Sequence, residues 1–271
     1  MKKEIVFLGT GEAMASRCYN SCFAVNAGDE KLLVDAGGGN GILKQLKRAN
    51  IAVEDLNSLF LTHTHTDHIL GAVWLLRDIG QRAGDGYYDG HLHIYGHHEA
   101  ISTLKSLCKL LFGRALLRSL EKSVVFCVVK DGDKARTSAL KLNFFDIHSQ
   151  KCKQFGVRIA LNDGPVLTYL GDEPYRELNR NYAFGVDWLI SEAFCLSSEA
   201  DIFQPYKINH ATALDAGLNA EKLKAGNLVI IHTEDSKLAQ RKALYTAEAK
   251  RVFSGRVFVP DDLERLEIGT M

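Results

Sequence analysis

Thr62-His63-Thr64-His65-Thr66-Asp67-His68 is the stretch on which the reading of this chain turns. An apolar run at 56–61 precedes it. Ile69, Leu70, Val73, Trp74 and Leu76 follow it at helical spacings. The pattern predicts a buried strand that ends where a helix begins. Alternate side chains of an extended segment point the same way, so His63 and His65 converge on one ion. Asp67 is read as the helix N-cap, with His68 in the first turn. That change of direction aims the second pair at a neighbouring ion. Neutral imidazole together with carboxylate suits zinc or a similar divalent metal. The strand-then-helix setting separates the motif from a chance run of polar loop residues.

The bulk numbers restrict what surrounds this cluster. The chain has 271 residues, with 33 Lys+Arg against 33 Asp+Glu, so its formal net charge is zero. That balance argues against a protein held on nucleic acid mainly by bulk charge, while leaving room for a local basic patch. Cys18, Cys22, Cys108, Cys127, Cys152 and Cys195 are scattered with no Cys-x-x-Cys pair. No signal peptide opens the chain, and no apolar stretch is long enough for a bilayer. Reduced thiols and a cytoplasmic enzyme are the expectation.

Strand patterns alternate with helical ones along the chain. Strands are predicted at 4–8, 22–26, 31–35, around Leu92 and Ile94, and at 124–129, 140–147, 155–161, 166–170, 187–191 and 228–231, with a closing strand at 257–259. Helices are predicted at 42–49, from His68 to about Gly80, over 100–122, to about Lys224 and over 236–251. Gly9-Thr10-Gly11 lacks the Lys-Ser/Thr of a phosphate loop and reads as a turn. Lys105, Lys109, Arg114, Arg118 and Lys122 line the helix at 100–122. They form either a solvated face or a stripe that tracks phosphates. No linker or low-complexity segment interrupts the pattern, so residues 1–271 read as a single domain.

His-x-His-x-Asp-His after an apolar strand resembles the signature of the metallo-β-lactamase superfamily, and further landmarks follow. Leu33-Val34-Asp35-Ala36-Gly37 is similar to the first strand-end motif, whose aspartate supports the site by hydrogen bonding. His148 matches the next histidine. Phe155-Gly156-Val157-Arg158-Ile159 resembles the Gly-Tyr-Arg strand of the ribonuclease Z group. Tyr169-Leu170-Gly171-Asp172 resembles Tyr-Ser-Gly-Asp, whose aspartate bridges both metals. Ser191-Glu192-Ala193-Phe194 is similar to the group's His-Glu-Ala-Thr-Phe, with Ser191 where histidine is frequent. Asn209-His210-Ala211-Thr212-Ala213 is similar to its His-Ser-Thr-Ala element, and His232 matches the final metal histidine.

The resemblance implies an α/β fold, the αββα sandwich of two mixed sheets flanked by helices. It implies two divalent ions, zinc first, with manganese or iron compatible. One ion takes His63, His65 and His148, the other takes Asp67, His68 and His232, and Asp172 bridges them. With both sites filled, His91, His93, His97 and His98 are not expected to be ligands. Two ions about 3.5–4 Å apart hold a hydroxide at neutral pH and clamp a phosphoryl oxygen. The expected function is a binuclear ribonuclease Z-like phosphodiesterase, with Asp67 and His210 as catalytic residues. Two alternatives stand beside it. One is hydrolysis of a carboxylic ester, lactone or sulfate ester on the same fold. The other is a non-catalytic metal-binding protein.

The sequence departs from the group's pattern in two places. Ribonuclease Z carries a long arm between the third histidine and the bridging aspartate, whereas only residues 149–171 lie there in this chain. The group's Asp-Cys-Gly-Glu-Gly-Thr-Gln reads here as Asp35-Ala36-Gly37-Gly38-Gly39-Asn40-Gly41, without its glutamate and glutamine. Both departures favour a small phosphodiester, with cyclic nucleotides, nucleotide-like diesters and an RNA end all open. A homodimer is one open assembly.

Overall fold

The computed structural model describes residues 2–269. The first half builds β1 (Lys3–Gly9), β2 (Cys22–Ala27), β3 (Glu30–Val34), α1 (Gly41–Arg48), β4 (Ser58–Leu61), α2 (Thr66–Gly84), β5 (Leu92–Gly96), α3 (His98–Leu111), α4 (Arg114–Ser123) and β6 (Val124–Val128). The second half builds β7 (Lys134–Arg136), β8 (Leu140–Asp146), β9 (Phe155–Leu161), β10 (Val166–Tyr169), α5 (Arg180–Ala183), β11 (Trp188–Glu192), α6 (Ala200–Phe203), α7 (Ala213–Lys222), β12 (Asn227–Ile231), α8 (Leu238–Ala249), β13 (Arg256–Phe258) and β14 (Arg265–Glu267).

Two mixed seven-stranded sheets result, ordered β14-β1-β2-β3-β4-β5-β6 and β13-β12-β11-β10-β9-β8-β7. Alternation along each strand divides the apolar side chains between two faces. Phe60 on β4 points between the sheets and meets Phe144 on β8 with ring centroids 5.1 Å apart. Its neighbours Leu59 and Leu61 point outward, into the layer formed with α1 to α4. Ile190 on β11 joins the inter-sheet core, while Leu189 packs outward with α7 and α8. Apolar surface on both faces of a sheet has to be covered, and the αββα sandwich covers it.

The parallel strands β3, β4 and β5, and likewise β10, β11 and β12, end at one rim of the sandwich. Ligand sites in α/β sheets lie outside such carboxyl ends. Left-handed backbone at Asp35 (φ 54) and His232 (φ 57) turns the chain sharply there, just after β3 and β12.

Several elements differ from the sequence reading, and β7, α5 and α6 have no counterpart in it. The helix expected over 100–122 is two helices, because Phe112 turns inward in an extended conformation and Gly113 caps α4. α4 then lies so close to α2 that a Cβ on Gly80 would stand 2.8 Å from Leu116 Cδ1. The helix after the motif starts at Thr66 with His65 as N-cap, so Asp67 sits inside its first turn. The strand near 257–259 is not the last one. The chain continues to β14, whose Leu266 pairs with Ile5 of β1.

α2 approaches the loop after β3 through Gly71. Its N–H donates to Gly37 O at 2.8 Å, and a Cβ there would fall 1.8 Å from Ala36 O. An alanine in a helix ordinarily stabilises relative to glycine. At this position, Gly71→Ala should instead destabilise by about 1–3 kcal/mol, the usual cost of overpacking. It should also weaken metal uptake, because it pushes the Asp35 loop from the helix that carries Asp67 and His68. Urea denaturation and a metal titration of the variant check both outcomes.

Candidate metal centre

The buried carboxylate of Asp35 organises the first half of the site. It accepts the Thr62 N–H at 2.9 Å and the Thr62 hydroxyl at 2.7 Å. It also faces His68 Nδ1 at 2.8 Å. A carboxylate only accepts, so Nδ1 of His68 carries a hydrogen and Nε2 is the atom turned to the rim. The Thr62 hydroxyl spends its proton on Asp35, so at 2.9 Å it accepts from His63 Nδ1. His63 is thereby set in the same tautomer, with Nε2 turned to the rim. Such outer partners fix both the orientation and the protonation of metal-binding imidazoles.

Asp172 stands at the middle. Its Oδ2 lies 3.5 Å from His63 Nε2, 3.8 Å from His68 Nε2, 3.8 Å from His232 Nε2 and 4.0 Å from His65 Nδ1. Asp67 Oδ2 lies 3.2 Å from His68 Nε2 and 3.5 Å from His232 Nε2. The ligating atoms form the groups His63–His68–Asp172, Asp67–His68–His232, His63–His65–Cys152 and Glu192–His210–His232. His63 Nε2, His68 Nε2, His232 Nε2 and Asp172 Oδ1 are buried and accept or donate no hydrogen bond. A buried polar atom without a partner costs about 1–3 kcal/mol, so several converging on one point call for a cation. The residues present therefore fit divalent metal.

Electrostatics agree with that fit. Burial lowers the His63 pKa well below the ordinary imidazole value and leaves the ring neutral, as a ligand must be. Burial opposes the charge on Asp172, but His63, His232, His68 and Lys151 outweigh it and hold the carboxyl well below its usual range. His68 is likewise opposed by burial and is raised by Asp67 and Asp35, so an ion there replaces a proton.

Six of the seven ligand candidates from the sequence, His63, His65, Asp67, His68, Asp172 and His232, meet at this rim. His148 does not join them. Asp146 Oδ1 accepts the His148 N–H at 2.8 Å, the backbone turns left-handed (φ 58), and the imidazole is exposed. Cys152 takes the place beside His65, with Sγ 3.4 Å from Nε2. His91, His93, His97 and His98 belong to no ligating group among the described residues.

A second polar group adjoins the first. His210 stacks between Phe194 and His232 at 5.2 and 5.3 Å. Its Nδ1 lies 3.5 Å from Glu192 Oε2, and its Nε2 lies 3.3 Å from Lys151 Nζ. An ammonium only donates, so Nε2 accepts and the Nδ1 hydrogen faces Glu192. Burial, then Lys151, takes His210 down to about 4, and burial pushes Glu192 up to about 8. Lys151 Nζ is also 3.7 Å from Asp172 Oδ2. Sequence reasoning missed Glu192 and Lys151 as members of the site. Glu192 does carry a signal, as an ionisable residue closing a buried strand, like Asp172 and His232 just beyond theirs. Lys151 carries none, being one lysine in a polar loop.

The arrangement has parallels. The ribonuclease Z of Bradyrhizobium diazoefficiens is 23% identical over 92% of this chain and 94% of its own length. The metallo-β-lactamase fold protein YhfI from Bacillus subtilis superposes with a TM-score of 0.79 at 21% identity, covering 98% of this chain and 100% of that one. The short form of human tRNase Z gives a TM-score of 0.77 at 21% identity, with 98% and 100% covered. The chain thus has the metallo-β-lactamase fold of these structures and is similar along most of its length to ribonuclease Z. The sequence model of the anti-Pycsar protein Apyc1 family matches residues 3–183, and the chain belongs to that family.

Asp172→Ala should lower metal content at both neighbouring groups, because the central carboxylate faces His63, His68 and His232 alike. Elemental analysis of the purified variant checks this, and full occupancy would remove Asp172 from the bridging position.

Proposed function

We propose that this protein hydrolyses a small phosphodiester with two divalent ions, zinc first, at the rim described above. Zinc suits the imidazole-rich donor set, and manganese or iron remains compatible with the carboxylates. Bound there, such ions supply a water-derived nucleophile at neutral pH and Lewis-acid polarisation of the phosphoryl oxygen. His63, His65, Asp67, His68, Asp172 and His232 are the proposed holders.

The observation that carries the choice of bond is Lys151. Its ammonium stands beside Asp172 and His210, where a substrate's anionic oxygen can take it as partner. A phosphodiester is an anion, whereas a lactone or carboxylic ester offers a neutral carbonyl that gains little from this lysine. Phosphoryl transfer is catalysed chiefly by positioning and charge stabilisation, which Lys151 and the metal-holding side chains serve. The Lys151–His210 pair holds the proton that a departing alkoxide needs, and Glu192 faces the imidazole's other nitrogen at 3.5 Å. Asp67 is assigned to the reaction through its place at the second group, against His68 and His232.

The size of the substrate follows from the chain between His148 and Asp172. It is the β9–β10 hairpin and short loops, with no protruding arm. A cyclic nucleotide or nucleotide-like diester suits that simple rim. An RNA end would need a local patch such as Lys109, Arg114 and Arg118, all exposed on α3 and α4. A homodimer is compatible with this reading.

His210→Ala should keep its fold and both ions while kcat falls about 10²–10⁴-fold for an alkyl diester, the range typical of a positioned acid. A nitrophenyl diester, with its better leaving group, should suffer less. Loss of metal, or equal rates on both substrates, would overturn the role. Parallel assays with a lactone and an aryl sulfate test the bond, and absence of turnover by fully loaded protein on every ester would favour a non-catalytic role. Binding of tRNA precursors should be weak. Tight, steeply salt-dependent binding that collapses on neutralising Lys109, Arg114 and Arg118 would reverse the small-substrate reading.

A further inference from the structure

We infer that Cys152 is a thiolate ligand of the first ion, in the position where His148 is expected. The inference rests on the reading of the rim as a metal centre and concerns how this chain completes it.

Cys152, His63 and His65 present ligating atoms within 4.8 Å of one another. A tetrahedral zinc site with Zn–S about 2.3 Å and Zn–N about 2.0 Å has an S–N edge of about 3.5 Å. Cys152 Sγ and His65 Nε2 stand 3.4 Å apart. His63 Nε2 is fully buried, has no hydrogen-bond partner, and opens onto the same space. Asp172 Oδ2 stands 3.5 Å from that same nitrogen, so His63 lies between this group and the central carboxylate.

The loop between β8 and β9 explains the exchange. Its neck is closed by the Ile147 N–H donating to Gln154 O. Buried Glu173 accepts the Ser149 hydroxyl at 2.6 Å and the N–H groups of Gln150 and Lys151 at 3.2 and 3.3 Å. The Ser149 hydroxyl oxygen in turn accepts the Cys152 N–H at 3.3 Å. Asp146 holds the other side, accepting His148 N–H at 2.8 Å and Lys153 Nζ at 2.7 Å. Held at both ends, the loop leaves His148 exposed and brings Cys152 to His65. Glu173 directly follows Asp172, so the residue that fixes the loop is coupled to the carboxylate at the centre. On ion binding the thiol proton leaves to solvent, and the softer sulfur biases the site toward zinc over manganese.

Cobalt(II) substitution tests this directly. Wild-type protein and the His148→Ala variant, loaded with cobalt, should both show a thiolate-to-cobalt charge-transfer band in the near ultraviolet. Cys152→Ser should lack it and bind the first ion about tenfold or more weakly, since losing even an outer-shell partner costs that much. Thermal melting of the apo variants confirms that each is folded. In the wild type, zinc should protect Cys152 from iodoacetamide while half-buried Cys127 on β6 reacts unchanged, as read by peptide mass spectrometry. Two bound ions with no band, or metal lost in His148→Ala and kept in Cys152→Ser, overturns the inference and leaves the proposed function standing. Failure of the wild type to take up any ion overturns both.

Discussion

The site depends on one buried carboxylate. Asp35 ties the end of β3 to the end of β4 through Thr62, and to the start of α2 through His68. A non-glycine residue held in left-handed backbone costs about 1–3 kcal/mol. Hydrogen bonds to an ionised acceptor, roughly twice as strong as neutral ones, offset that cost here. In return, two imidazoles are set with Nε2 toward the rim before any ion arrives. Tyr19 braces the same loop from outside, donating its hydroxyl toward Ala36 O and Gly39 O at 2.9 Å. Preorganisation at this centre is therefore a property of the sheet ends, reached through hydrogen bonds several atoms from the metal position.

Much of this was legible in the sequence, for reasons that differ by residue. His63, His65, Asp67 and His68 lie within one short segment whose apolar flanks fix its course, so local pattern suffices. Asp172 and His232 carry no local signal beyond ending buried runs, and only the family resemblance placed them beside the motif. His148 shows the limit. Its position after β8 is legible, but its direction depends on Asp146 and on a loop fastened by Glu173, contacts that no periodicity encodes. The break between α3 and α4 was hidden for a similar reason. The leucine spacing runs through it, and only the packing of Phe112 and the approach of Leu116 to Gly80 divide the helix. Likewise β14 is short, and its place is set by pairing with β1 at the far end of the chain.

Charge in this molecule acts locally. With no net charge on the chain, long-range attraction for a polyanion is weak, and recognition falls to groups within hydrogen-bond reach. Lys151 is such a group. It is partly buried, flanked by Asp172 and His210, and carried by the same loop as Cys152. One loop thus carries both the thiol beside His65 and the ammonium beside Asp172 and His210.

The ligating groups are divided between the two sheets. His63, His65, Asp67 and His68 issue from the first, and Cys152, Asp172 and His232 from the second. Every group that includes one of the first four also includes a member of the other sheet. The groups built on the His63–His68 motif therefore need both halves of the chain, whereas Glu192, His210 and His232 come from the second alone. A bound ion then acts as a rivet across the seam, adding about 2.7 kcal/mol against opening when its free concentration is a hundredfold above Kd. The lifetime of the closed sandwich is in this way tied to the metal supply of its surroundings, and a chelator strong enough to strip the rim would loosen the whole molecule along the plane where Phe60 meets Phe144.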